Sequence, residues 1–146
     1  MADIALSVTT EVPPIVQRLQ DAINAHDLEG VVDCFVEEYR NETPVHPSRS
    51  FVGAEQVRRN WTQILAGLTD LRAELVRWAA SGDEVWAEWS WAGTRAGGVP
   101  FAMRGVTILG QRPDGRAAWS RFYMEPVDES ADEVTTAVGD LVGVRP

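Results

Sequence analysis

The chain contains no lysine; all 13 of its basic residues are arginine. That removes Schiff-base chemistry and the lysine of a phosphate-cradling P-loop. A single cysteine, Cys34, cannot close an internal disulfide, and a cysteine-based zinc site needs several more ligands. Two histidines, His26 and His46, are too few for a three-histidine metal centre. No run approaches the roughly 18 apolar residues of a membrane span. The opening MADIALSVTTEVPP lacks the basic start and long apolar core of a secretory signal, so a cytoplasmic location is expected. Neither a metal nor a cofactor is expected. Acidic residues number 22 and the net charge is −9, a field that repels phosphate backbones and anionic lipid. Nucleic acid and membrane are therefore not expected partners.

What is present suits one globular domain: 146 residues, 45% hydrophobic and 24% charged. Val12-Pro13-Pro14 starts a helix, because proline is tolerated in a first turn whose amides lack partners anyway. Ile15, Val16, Leu19, Ala22 and Ile23 follow at helical spacing. Asp27 is a good N-cap for a second helix over residues 28–36, with Leu28, Val31, Val32 and Phe35 as its stripe. Cys34 reads as a small buried hydrophobe and His26 as structural. Residues 39–45 read as a short strand leading to a loop rich in proline and serine. Phe51-Val52-Gly53 opens a third helix to about residue 66, burying Val57, Trp61, Ile64 and Leu65, with Gly67 at its cap.

From residue 71 the period becomes two. Strands are expected over residues 71–80, 84–94, 99–111 and 116–127, with Ser81-Gly82-Asp83, Gly97-Gly98 and Pro113-Asp114-Gly115 as breaks. Residues 1–11 form an N-terminal extension, 12–127 the domain and 128–146 an acidic tail. Val134, Ala137, Val138 and Leu141 are spaced for a weak helix, and a frayed tail fits equally. Helices first and strands afterwards point to an α+β fold.

The order of helix, Asn24-Ala25-His26-Asp27-Leu28-Glu29, second helix, short strand, Val52-Gly53-Ala54-Glu55-Gln56-Val57, third helix and four-strand meander resembles the nuclear transport factor 2-like superfamily. Trp89-Ser90-Trp91-Ala92-Gly93-Thr94 and the segment from Gly115-Arg116 to Arg121-Phe122-Tyr123-Met124-Glu125-Pro126 resemble its SnoaL-like group. The resemblance covers residues 12–127. It implies a cone-shaped curved antiparallel sheet, three helices on its concave face, one deep pocket, and a homodimer through the outer sheet face.

Function has to be argued from the pocket, since this fold hosts enzymes and binders alike. Against the ketosteroid isomerase pattern, the tyrosine, base and sheet-aspartate positions fall at Leu19, Thr43 and near Gly105. Against limonene epoxide hydrolase, Tyr39-Arg40-Asn41 matches the water-holding pair. The aspartate–arginine–aspartate relay falls at Trp89, Trp91 and Phe122. The SnoaL-type cyclase pattern leaves His46, Glu42 and Glu125 as acid–base candidates, with alternation turning Glu125 outward and Phe122 inward. The expected catalytic residues are Tyr39, Asn41 and His46. Leu19, Thr43, Trp61, Trp89, Trp91, Met103, Phe122 and Met124 are expected to bind a small apolar or aromatic metabolite. By alternation Trp86 and Glu88, with Trp119, Arg121 and Tyr123, face a dimer surface. Arg104 turns outward, and Arg49, Arg58 and Arg59 read as solvated charges. The expected function is a SnoaL-like, cofactor-free enzyme of secondary or xenobiotic metabolism performing cyclisation, isomerisation, hydration or dehydration. The alternative is a non-catalytic ligand-binding or dimerisation module.

Overall fold

Pro13 and Pro14 start α1 (Pro14–Asn24), as their fixed φ and missing amide hydrogens dictate. The computed structural model describes residues 11–144, so the expected N-terminal extension lies, except for Glu11, outside the described residues. The face expected from the spacing, Ile15, Val16, Leu19, Ala22 and Ile23, is the face α1 buries. His26 takes a left-handed backbone conformation that turns the chain, and its Nε2 lies 2.8 Å from the Leu71 carbonyl. Asp27 then caps α2 (Leu28–Val32) by accepting from the Gly30 amide at 3.0 Å.

Here the structure corrects the sequence reading. The second helix stops at Val32, and Phe35 opens β1 (Phe35–Glu42). The run Val31-Val32 to Phe35-Val36 carries apolar residues that suit either period. Pairing with the sheet decides the matter: the Cys34 carbonyl accepts from the Ala117 amide at 2.8 Å and Phe35 sits opposite Ala117. Phe51 and Val52 likewise leave the third helix and form β2 (Phe51–Val52), paired antiparallel with β1. Helix α3 (Ala54–Gly67) follows, with Gly67 as its last residue and Leu68 at the cap position.

The meander β3 (Arg72–Ser81), β4 (Glu84–Thr94), β5 (Pro100–Gln111) and β6 (Ala117–Pro126) matches the expected strands to within a residue at each end. The six strands form one sheet in the order β2-β1-β6-β5-β4-β3. The sheet is antiparallel except where β1 runs parallel to β6. It is curved and unclosed, consistent with the expected cone. Register shifts interrupt three pairings, between Phe35 and Arg40, Leu75 and Arg77, and Gly110 and Gln111. Such bulges bend the strands that carry them.

Two glycines allow close approaches in β5. Gly105 has φ +148°, and a Cβ there would collide with the Tyr123 carbonyl. A Cβ on Gly110 would occupy the place of the Trp119 indole, whose residue is its cross-strand partner. At the free edge, β3 is covered by α1. The Asn24 side chain donates to the Ala73 carbonyl (2.9 Å) and accepts from its amide (2.7 Å), and Gln20 accepts from the Leu75 amide (2.7 Å). Edge backbone groups that would otherwise invite another strand are satisfied internally.

A fourth helix, α4 (Val134–Val142), follows the sheet, so of the two readings for residues 134–141 the helix is the one formed. Its apolar residues stay exposed, Leu141 at 84%. Among the described residues no helix is long and apolar enough to cross a membrane.

Candidate functional site

Strand alternation sends Val85, Ala87, Trp89 and Trp91 of β4 to the concave face, where all four are buried. Helices α1 and α3 do not fill that face. They leave a cavity of about 250 Å³. One wall is aromatic: the Trp61 and Trp91 rings lie 5.5 Å apart between centroids, and Trp89 and Trp91 lie 6.4 Å apart, near edge-to-face. Phe35, Tyr39 and Phe51 face them from β1 and β2, with centroid separations of 4.6 and 6.0 Å. Leu19, Val57, Ile64, Met103, Leu109 and Phe122 complete the apolar lining.

Set in this wall is one chain of polar groups. Parallel pairing places Asn41 directly opposite Ser120. The Ser120 hydroxyl donates to Asn41 Oδ1 at 2.9 Å, which leaves the Tyr39 hydroxyl to donate to Ser120 Oγ. Asn41 Nδ2 donates to Thr43 Oγ1 at 3.0 Å, and the Thr43 amide is held by Ser50 Oγ at 2.9 Å. Tyr39, Asn41, Thr43 and Ser120 are all buried and all line the cavity. Burial pushes the Tyr39 phenol well above its ordinary range, with the Ser120 hydrogen bond pulling weakly the other way. At neutral pH it is a donor and not a base.

Across the cavity, Trp89 sits opposite Gly105, and its Nε1 donates to Thr107 Oγ1 at 3.0 Å. Trp91 Nε1 is buried without a hydrogen-bond partner, the one such side-chain polar atom among the described residues. Among the described residues, Arg49 is the one charged residue of the lining and its one exposed residue. It marks where the cavity meets solvent.

Of the residues expected to form the site, the structure gathers Leu19, Tyr39, Asn41, Thr43, Trp61, Trp89, Trp91, Met103 and Phe122 around this space. It does not bring in Met124 or His46. Met124 is fully buried on the same strand face as Ser120 and Phe122 but lies outside the lining. His46 Nε2 pairs with the Glu125 carboxylate at 2.9 and 3.1 Å on a half-exposed surface. Glu42 is exposed and accepts from Arg121 Nη1 at 2.8 Å. Sequence reasoning missed Ser120, Asn60, Phe51 and Arg49. Ser120 was accessible from alternation, two residues before the inward Phe122. Arg49 carried no such signal, since a loop arginine between two serines reads as solvated.

Among the described residues no carboxylate, imidazole or thiol lines the cavity. Cys34 lies elsewhere in the core, donating to the Gly30 carbonyl at 3.3 Å, and burial pushes its thiol up to about 11. Among the described residues no group of three or more His, Cys, Asp or Glu side chains is placed to hold a metal ion. The arrangement can therefore hold and orient a molecule by hydrogen bonds and ring contacts. It offers no side-chain base inside the cavity.

A profile of the SnoaL-like domain matches residues 16–120, from α1 to the serine of the polar chain. The chain belongs to the SnoaL-like domain family. No curated protein matches it. Among solved structures, a protein of ketosteroid isomerase-like fold from Catenulispora acidiphila, in complex with trimethylamine, is 18% identical. It aligns over 92% of this chain and 96% of its own, with a TM-score of 0.67. A SnoaL-like polyketide cyclase, so named provisionally, from Shewanella denitrificans is 13% identical over 76% and 88%, TM-score 0.63. A Mycobacterium tuberculosis protein in complex with estradiol-17β-hemisuccinate is 20% identical over 77% and 94%, TM-score 0.65. At these identities the likeness establishes the shared fold. Family and fold support a small-molecule enzyme or binding role for this SnoaL-like chain.

Proposed function

We propose that this SnoaL-like chain binds one compact, mostly apolar molecule that carries a hydrogen-bonding oxygen. The observation behind this reading is the lining itself: apolar and aromatic walls, one polar chain through Tyr39, Ser120, Asn41 and Thr43, and no acid–base residue. Sites of this composition fix orientation with a few polar groups and draw affinity from the apolar walls. Size narrows the ligand. A cavity of about 150 Å³ accepts benzene, so about 250 Å³ suits roughly ten non-hydrogen atoms, a one-ring molecule and not a fused tetracycle. Two of the solved relatives carry small ligands, trimethylamine and estradiol-17β-hemisuccinate, which supports the same use of the fold here.

A second reading is cofactor-free cyclisation, isomerisation or hydration with Tyr39, Asn41 and His46 as the working groups. Two observations favour it. Along the Tyr39–Ser120–Asn41–Thr43 chain, the second Asn41 Nδ2 hydrogen and the Thr43 hydroxyl hydrogen remain to orient a water or a carbonyl oxygen. His46, three residues before the cavity's Arg49, has its Nε2 on a carboxylate, an arrangement that supports proton transfer. Titration of one-ring alcohols, ketones and acids, read by quenching of Trp61, Trp89 and Trp91 and by native mass spectrometry, tests binding. Turnover assays on the ligands that bind separate the two readings. Binding without turnover supports the first. Turnover that is lost in both Tyr39→Phe and His46→Ala replaces it with the second.

A homodimer through the outer sheet face belongs to the same proposal. Trp86 at 47% exposure and Val76 at 45%, with Tyr123 nearby in the sheet, leave that face more apolar than a solvated sheet needs.

A further inference from the structure

We infer that the ligand is an anion: an apolar ring seated among the tryptophans, with a carboxylate end held at the mouth by Arg49. The inference rests on the binding reading above and adds the chemical class of the ligand.

The groups around the cavity are unbalanced. Donors without an acceptor among the described residues include the Arg49 guanidinium, Asn60 Nδ2, and the indole N–H groups of Trp61 and Trp91. Asn60 is oriented by Gln56, which donates to its Oδ1 at 2.8 Å and so leaves the amide nitrogen to donate elsewhere. The neighbouring arginines are already engaged. Arg58 is held by Glu29, Arg121 by Glu42, and Arg59 donates to Gln56. Arg49 has no such partner, in a chain whose acidic residues outnumber its basic ones by nine. Among the described residues no acidic side chain reaches the lining to serve as its counter-ion.

Such a lining discriminates by charge. Three tryptophans also make a cage of the type that attracts quaternary ammonium groups through the faces of their rings. A cation entering here, however, meets an arginine and no carboxylate. A carboxylate meets a guanidinium whose planar fork matches both its oxygens. A neutral amide of the same shape gains the ring contacts without the charged pair.

Three probes of the same skeleton separate these cases: 3-phenylpropanoate, 3-phenylpropanamide and 3-phenylpropylamine. Each is titrated against the full chain by tryptophan fluorescence and calorimetry, and against Arg49→Gln and Arg49→Lys. Arg49 is exposed and makes no side-chain contact that holds the fold, so both variants are expected to melt with the parent. The expected result is a carboxylate bound about three- to tenfold more tightly than the amide, as suits one partly exposed charged hydrogen bond. The amine binds weakest. Arg49→Gln brings the carboxylate-to-amide ratio to about one, and Arg49→Lys keeps part of it. Equal binding of acid and amide by the parent chain, an unchanged ratio in Arg49→Gln, or tightest binding of the amine overturns the inference while leaving a binding cavity in place. Binding of none of the three, nor of any other one-ring compound, overturns the cavity reading and this inference together.

Discussion

Removing Ser120 tests whether the buried polar chain acts as one unit. In Ser120→Ala the hydroxyl that accepts from Tyr39 and donates to Asn41 is lost, and Tyr39 is left 3.4 Å from Asn41 Oδ1, too far for a good bond. Two hydrogen bonds go and two buried groups, Tyr39 Oη and Asn41 Oδ1, lose their partner. A cost of about 2 kcal/mol follows. In Tyr39→Phe only the first donor is lost, and Ser120 keeps its 2.9 Å bond to Asn41, so the cost is about 1 kcal/mol. In the double variant the phenol that Ser120→Ala would have stranded is already absent. The pair should therefore cost about 2 kcal/mol, not the 3 that simple addition gives, a coupling of roughly 1 kcal/mol. Urea unfolding of the four proteins, followed by far-ultraviolet circular dichroism with a common m value, measures each term. Costs that add to within about 0.5 kcal/mol would show that Tyr39 and Ser120 act independently and would refute the chain.

Asn24→Ala removes both hydrogen bonds to the Ala73 backbone. It should cost about 2 kcal/mol and speed hydrogen exchange at the Ala73 amide, with internal strands of the sheet unaffected. Gly105→Ala forces a Cβ against the Tyr123 carbonyl at φ +148° and should destabilise by about 3 kcal/mol, where alanine at the open Gly67 stays within about 0.5; thermal melts compare the two. Cys34 releases its proton at pH about 11 when folded and at 9.0 when unfolded, so the unfolded state loses protons first. The Cys34 contribution to stability is therefore fully present below pH 9 and is lost as pH rises through 11, about 3 kcal/mol in total. Cys34→Ala should flatten that fall in urea melts taken across the range. Trp86→Glu should convert a dimer to monomers in sedimentation analysis while leaving the cavity's fluorescence unchanged, because Trp86 points away from it.

The strands of the meander were legible because their alternation is strict and their turns carry glycine or proline. Trp89 and Trp91 could be placed inward from spacing alone. Phe35 and Phe51 could not. Each is a hydrophobe beside a helix, and only strand pairing makes it part of the sheet: Phe51 with Asn41, ten residues back, and Phe35 with Ala117, far along the chain. The same long-range pairing hid the polar chain. Tyr39 and Asn41 are visible as an alternating pair, but their partner Ser120 lies 79 residues from Asn41, and nothing local announces a parallel neighbour. For His46 the sequence could not name a partner: folding directs its ring to Glu125, 79 residues away.

Proton-transfer groups and apolar walls compete in this fold for the same few inward positions. Leu19, Thr43, Trp89, Trp91 and Phe122, which stand where acid–base residues act in the isomerase and hydrolase patterns, all line the cavity. The remaining position falls near Gly105, and there a side chain is excluded by the backbone itself, since any Cβ meets the Tyr123 carbonyl. Restoring an aspartate at Trp89 would also remove the ring that faces Gly105 and donates to Thr107, replacing an apolar wall with an unpaired buried charge. Acid–base chemistry and the present wall therefore exclude one another at these positions. With no side-chain acid or base at these positions, a reaction here would draw on orientation by the polar chain, on a group outside the lining such as His46, or on one the substrate brings with it.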